Sequence, residues 1–287
     1  MTAAPVDVAQ RLSRAQSLRL AVTKRLFGRM YPRAQLAWRK RTGHPEWRFI
    51  EAFTNQYGTA VRHGPLRGMS YPQELLGITS AMVPKLLGAY ECELHEVIEE
   101  AAGGGYDIVV NIGAAEGYYA IGLARRLPDA VVHAFEADRR LQARCRRLAA
   151  ANDVLDRVRV RGVCGPDDLA EFAGLRLLVI CDCEGCEFEI FGRGASDLDA
   201  SMLVVEVHDF ADPGSSAELV RRLEATHDVQ TLVSEARQPL AYPELREVGA
   251  REQRFALTEN RPKQTRWAVC RPRADGGDAG PPAKPSA

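Results

Sequence analysis

The 287-residue chain lacks any uninterrupted apolar run of the roughly 18 to 20 residues that cross a bilayer. Its first leucines are broken by Arg11, Arg14 and Arg19, so no signal-peptide core is expected there. It also lacks net charge: 38 Lys+Arg balance 38 Asp+Glu, so no global positive field draws it to nucleic acid and no nucleic-acid partner is expected. Lysine is scarce, with five residues, and arginine supplies the other basic groups. The seven cysteines, at 92, 145, 164, 181, 183, 186 and 270, lack the spacing of a small stapled scaffold. No second CxxC or HxxxH pair completes a zinc site around Cys181, Cys183 and Cys186. These features predict a reducing, cytoplasmic setting, with Cys181 and Cys183 on one strand face packed as small hydrophobes. What remains, 46% apolar and 26% charged, suffices to bury the core of one large domain or two small ones.

Neutrality hides an asymmetry, because residues 1 to 50 hold eleven Lys/Arg against only Asp7 and Glu46. Leu12, Leu18, Val22, Phe27 and Met30 recur there at near-helical spacing. They describe either a basic amphipathic helix touching an anionic membrane or, as we favour, a helical arm with its charges in water. Residues 1–85 are expected to form this arm and a lid-like segment, and Ala274 to Ala287 a disordered tail. Between them, apolar strands alternate with helices. Strands are expected over Asp107–Ile112, Ala130–Phe135, Arg157–Val163, Leu177–Cys181, Met202–Val207, Val229–Val233 and Arg266–Cys270. Helices are expected over Tyr118–Leu127, Arg139–Ala151 and Ser216–Thr226, with Tyr90, Leu94, Val97, Ile98 and Ala101 at helical intervals before Gly103-Gly104-Gly105. The continuous apolar strands predict a doubly wound α/β sheet, mostly parallel and covered on both faces, with the last two strands an antiparallel edge hairpin.

In such a sheet the ligand lies at the carboxyl ends of the strands, after the first strand. There the chain reads Asn111-Ile112-Gly113-Ala114-Ala115-Glu116-Gly117-Tyr118. Two glycines four apart allow a tight turn and let a ligand approach backbone N–H groups. Glu136, ending the next strand just before Ala137, can accept hydrogen bonds from both hydroxyls of a ribose. The loop is G-x-x-x-G, with Ala115 where the second glycine of a dinucleotide fingerprint would fall, which disfavours a pyrophosphate cofactor.

The loop, Glu136 and Cys181-Asp182-Cys183-Glu184-Gly185-Cys186-Glu187 resemble a class I S-adenosylmethionine methyltransferase with a seven-stranded, Rossmann-like sheet. More narrowly, Asp182-x-Glu184-Gly185-x-Glu187 followed by Glu206-Val207-His208 resembles the FkbM-like family, over about residues 86 to 270. The resemblance implies a methyltransferase domain over residues 86–273, with S-adenosylmethionine as cofactor. The implied cofactor residues are Asn111, Gly113, Ala114, Glu116, Gly117, Tyr118, Glu136, Ala137 and Asp182. The family usually carries an acidic residue where this chain has Asn111; Glu116 is expected to supply the charge instead.

Methyl transfer needs alignment in a dry site and, for a hydroxyl acceptor, a group to take its proton. Asp182, Glu184, Glu206, His208 and Asp209 follow the fourth and fifth strands. In one mechanism His208 or Asp182 is the base, with Glu206 orienting the imidazole or the substrate hydroxyl. In the other, Asp182, Glu206 and His208 bind a divalent ion. The metal-free version is favoured. Glu184, Asp209, Glu259 and Arg261 are the expected substrate contacts, and Trp267 either closes over a substrate or anchors a loop. The expected function is O-methylation of a hydroxylated small molecule such as a glycoside or polyketide-type metabolite. The alternative is a non-catalytic module binding a nucleoside or partner, and a homodimer is among the expected assemblies.

Overall fold

The structure, a computed structural model, describes residues 40–41, 44–191, 198–208, 214–259 and 264–273. The expectations for residues 1–39, for the tail after residue 273, and for Asp209 and Arg261 lie outside the described residues. Two compact units divide the chain at residues 1–56 and 57–287. In the first, the described helix α1 (Pro45–Tyr57) packs Phe49 on Phe53, one turn along, at 6.2 Å between ring centres. The second opens with a tight hairpin-like turn, in which Val61 N–H donates to the Met69 carbonyl and Gly68 N–H returns to Val61. Val61, Leu66, Met69 and Tyr71 from this turn are buried, so residues 57–85 supply part of that unit's own core.

Seven strands form one sheet among the described residues: β1 (Ile108–Ile112), β2 (Val131–Phe135), β3 (Val158–Arg161), β4 (Leu177–Cys181), β5 (Met202–Val207), β6 (His227–Val233) and β7 (Arg266–Pro272). Their order is β3-β2-β1-β4-β5-β7-β6. The first five run parallel; β7 is antiparallel to both β5 and β6. This is the mostly parallel α/β sheet with an antiparallel edge that the strand patterning predicts. Leu-Leu-Val-Ile-Cys in β4 is buried at every position, which is why no polar alternation marks it. The further α-helices are α2 (Met82–Leu87), α3 (His95–Ala102), α4 (Tyr118–Arg126), α5 (Arg139–Ala150), α6 (Glu187–Phe191), α7 (Ser215–Leu223) and α8 (Ala250–Leu257). α4 packs on β1 and β2, and α5 on β3.

Two expectations change. The run from Tyr90 to Ala101 is not one helix: Glu91 sits at φ +46°, and α3 begins only at His95. Ahead of it stands a separate helix, α2, with all six residues buried, Lys85 included. β4 ends at Cys181, so Cys183 does not share a strand face with it; instead Cys183 and Cys186 form a disulfide. Strand order reverses beside β1, with β2 and β3 on one side and β4 and β5 on the other, which opens a crevice at the carboxyl end of β1. No described helix is long and apolar enough to cross a membrane.

Candidate active site

The crevice holds a cavity of about 410 Å³. Its floor is the turn after β1, where Gly113 and Ala114 donate their N–H groups to the Phe135 carbonyl at 3.0 and 2.9 Å. Gly113 has φ +74°, and a Cβ there would lie 1.6 Å from the Asp182 carbonyl oxygen, so only glycine lets the turn nest against the end of β4. Gly117, at φ +101°, opens α4; a Cβ on it would meet Ile121 and Cys145. Its part is this close packing, and it does not line the cavity. Asn111, Gly113, Ala114, Glu116, Tyr118, Glu136, Ala137 and Asp182 do. Glu136 is braced by two backbone donors, Ala115 N–H on Oε2 and Asp138 N–H on Oε1, both at 2.8 Å. Each carboxylate oxygen keeps acceptor capacity on the cavity side.

Glu116 does not offer a free charge in place of Asn111. Its carboxylate lies 2.5 Å from Lys85 Nζ, and Tyr71 Oη donates to it at 3.4 Å; Lys85 and Glu116 are both buried. Burial, then the neighbouring Glu116 charge, pushes the Tyr71 hydroxyl's pKa up, which keeps it a donor. Lys85 also lies over the Tyr90 and Tyr118 rings, 4.8 and 5.7 Å from their centres. Asn111 turns its amide to the Ile180 carbonyl at 3.3 Å. Sequence reasoning missed Lys85. The available signal was a rare lysine inside the apolar run Met82–Leu87.

The ends of β4 and β5 bring the acidic residues around one imidazole. His208 Nδ1 lies 2.8 Å from Glu187 Oε1. The carboxylate can only accept there, so Nδ1 carries the proton and Nε2 presents its lone pair when the ring is neutral. Nε2 lies 3.8 Å from Asp182 Oδ1, 3.8 Å from Glu184 Oε2 and 3.9 Å from Glu206 Oε2. The residue that orients the imidazole is therefore Glu187 and not Glu206. Glu206 points at the other ring nitrogen, beyond hydrogen-bond distance. Burial pulls the His208 pKa down, but the Glu187 hydrogen bond and charge, aided by Asp182 and Glu184, outweigh it and the pKa is raised. Burial likewise pushes Glu187 up, and the His208 hydrogen bond with backbone donors brings it below the ordinary carboxylate value. The same Oε1 accepts Cys183 N–H at 3.1 Å and Gly185 N–H at 3.3 Å. One oxygen thus organises the loop and aims the histidine.

Asp182, Glu184 and His208 each offer an atom within 4.8 Å of the others, as do Glu91, Asp182 and Glu206, so either trio could hold a cation. Asp182 Oδ1 is shielded from solvent without a hydrogen-bond partner among the described residues. Glu91 is buried and accepts from the Tyr119 hydroxyl; sequence reasoning did not single it out. Glu259, expected to touch substrate, instead accepts the Glu91 N–H at 2.8 Å and pairs with Arg237. Trp267 is fully buried in β7, in register with Glu206 of the neighbouring β5, and so packs within the core.

No protein-family model matches the chain, and no curated protein matches it in sequence. Solved structures similar to it include the precorrin-8w decarboxylase of Methanobacterium thermoautotrophicum, at 14% identity and TM-score 0.45, covering 63% of this chain and 90% of that one. Another is the O-methyltransferase TomG of Streptomyces achromogenes, solved with S-adenosylmethionine, at 18% identity and TM-score 0.42, covering 62% and 78%. A third is the precorrin-6y C5,15-methyltransferase of Geobacter metallireducens, at 13% and 0.42, covering 61% and 87%.

Proposed function

We propose that this chain is an S-adenosylmethionine-dependent methyltransferase that methylates a hydroxyl of a small molecule, with His208 as the base. The observation that carries the reading is the double placement of Asp182, which lines the cavity and stands 3.8 Å from His208 Nε2. A nucleoside crevice and a proton acceptor thereby adjoin. The cavity's size lies in the range of cofactor sites. Glu136 suits the ribose hydroxyls, and Ala137, Leu141 and Val163 supply an apolar wall for a purine. When bound, the cofactor supplies an electrophilic methyl group on a sulfonium.

The chain's own part is alignment and one proton. His208 Nε2 accepts the proton of the acceptor hydroxyl as its oxygen attacks, and Glu187 holds Nδ1–H and stabilises the imidazolium that forms. Asp182, Glu184 and Glu206 accept hydrogen bonds from neighbouring hydroxyls, which favours polyhydroxylated acceptors such as glycosides or polyketide-type metabolites. The FkbM-like reading draws support from the same pair. Glu187 closes the Asp-x-Glu-Gly-x-Glu block and His208 closes the Glu-x-His block, so their hydrogen bond gives the two blocks a common purpose.

Calorimetry with S-adenosylhomocysteine and with NAD tests the cofactor; tight binding of NAD alone overturns the reading. Mass spectrometry of a panel of hydroxylated metabolites incubated with S-adenosylmethionine tests turnover. Ligand binding with no methylated product across a panel that includes the true acceptor class favours the non-catalytic module. In the folded His208→Ala variant we expect turnover to fall roughly 10²- to 10⁴-fold with cofactor affinity nearly intact. Turnover is expected to survive chelator, and abolition with restoration by a divalent ion would move proton activation to a metal held by Asp182, Glu184 and His208.

A further inference from the structure

The segment joining Asp182 to Glu187 does two jobs at once. It lines the cavity with Asp182, Cys183, Glu184 and Cys186, and it wraps the carboxylate that aims His208. It is also the only described segment that is cross-linked: Cys183 and Cys186 are joined by a disulfide. Within the loop, Glu184 and Gly185 take φ +58° and +110°, a left-handed pair of the kind that makes a two-residue turn between Cys183 and Cys186. Both cysteines are partly exposed, whereas the five remaining ones are free thiols. Among those, Cys181 lies nearest, its sulfur 3.8 Å from that of Cys183. It is fully buried, and burial, then the charges of Glu187 and Asp182, push its pKa far up, so it remains a protonated thiol that does not compete in exchange.

We propose that Cys183 and Cys186 are a reversible thiol–disulfide couple whose oxidation state sets the position of Glu187, and through it the aim of His208. The co-reactant is a dithiol. Its thiolate attacks one sulfur of the Cys183–Cys186 bond, the other cysteine leaves as a thiolate and takes up a proton, and a mixed disulfide forms. The second thiol of the reductant then displaces the protein sulfur. Two electrons and two protons pass to the protein, and the reductant leaves as its own disulfide. An oxidised dithiol reverses the step. With the tie cut, the Cys183 and Gly185 amides are free to leave Glu187, and its carboxylate loses the two N–H groups that fix it against the imidazole.

The couple stands apart from the methyl-transfer reading; its effect on ligand binding rests on that reading. The test uses the full chain purified without reductant. Alkylation and intact-mass analysis, before and after dithiothreitol, counts thiols. The expected result is a gain of two alkylated cysteines on reduction, mapping to the peptide that contains residues 183 and 186, and reversal by oxidised dithiothreitol. In parallel, NMR follows the His208 ring titration. On reduction its midpoint should fall towards the ordinary imidazole value, and the Cys183→Ser/Cys186→Ser variant should match the reduced protein in either buffer. S-adenosylhomocysteine affinity should weaken about threefold or more on reduction. Seven alkylated cysteines in both conditions, after exposure to oxidised dithiothreitol, would refute the couple. A couple that forms while the His208 midpoint stays put would refute its link to the histidine. Loss of binding in both redox states with the His208 shift intact would fault the cofactor reading alone.

Discussion

Replacing Glu187 by Gln isolates the charge that the site places beside His208. The substitution keeps shape, and Gln Oε1 can still accept from Cys183, Gly185 and His208 Nδ1. What goes is the negative charge. A hydrogen bond to an ionised group is worth about 1.5–3 kcal/mol, against about 1 kcal/mol for a neutral one. The two side chains are 6% and 2% exposed, so water screens the pair little. The variant should therefore lose about 1–2 kcal/mol of stability wherever both groups are ionised. The sign with pH follows from the two shifts. The His208 pKa is raised above 6.5, so its share of stability is fully present below pH 6.5 and is lost as pH rises through the raised value. The Glu187 pKa is lowered below 4.5, so its share is present above pH 4.5 and is lost as pH falls through the lowered value. The pair stabilises most between these limits. Urea unfolding of wild type and variant at about pH 5.5 and about pH 8.5 reads the difference, which should be large at the first and small at the second. NMR should show the His208 midpoint lower in the variant. Because a base works when neutral, turnover in the variant should reach its plateau at lower pH, and the plateau should be lower, since the imidazole is a weaker base. Equal destabilisation at both pH values, or an unmoved His208 midpoint, refutes the argument.

Three further perturbations probe the cavity. Lys85→Met leaves the buried Glu116 without its cation and should cost about 3–5 kcal/mol by denaturant unfolding; Lys85→Met/Glu116→Gln should recover most of it, and failure to recover would show that packing, not charge, sets the cost. Gly113→Ala must move the Asp182 carbonyl or unwind the turn, so it should destabilise by about 3 kcal/mol or more and abolish S-adenosylhomocysteine binding in whatever fraction folds; a wild-type melting curve would contradict the close approach. Glu136→Ala should weaken S-adenosylhomocysteine by about 1.5–3 kcal/mol in calorimetry, and an unchanged affinity in the folded variant removes Glu136 from the site.

Most of the sheet was legible because burial on both faces leaves a local mark. Leu177–Cys181 and Met202–Val207 read as strands from their apolar runs alone and appear with those bounds. The N-terminal part was harder. Tyr90 to Ala101 has helical periodicity, yet Glu91 breaks it: its backbone N–H is given to Glu259 and its carboxylate takes the Tyr119 hydroxyl. Those partners lie far along the chain and leave no local mark. Glu259 reads as a substrate contact, and Trp267 as either a cover over substrate or a loop anchor, because a polar loop beside an aromatic resembles a lid. The fold instead uses Glu259 to hold Arg237 and Trp267 to fill the sheet beside Glu206.

By itself the amino-acid order determined where the chain is extended, where it coils, and which strand ends carry glycine and carboxylate, since each depends on residues a few positions apart. The Gly113 turn, Glu136 and the acidic ends of β4 and β5 were readable on that basis. Only the tertiary structure decided how side chains pair: Lys85 with Glu116, Glu187 rather than Glu206 with His208, and Cys183 with Cys186. A side chain's partner is chosen by distances of a few ångströms after the strands are ordered, and composition and period carry no information on that scale. Among several carboxylates near one imidazole, the one that the loop's own N–H groups hold in place becomes its partner, and that choice exists only once the loop has closed.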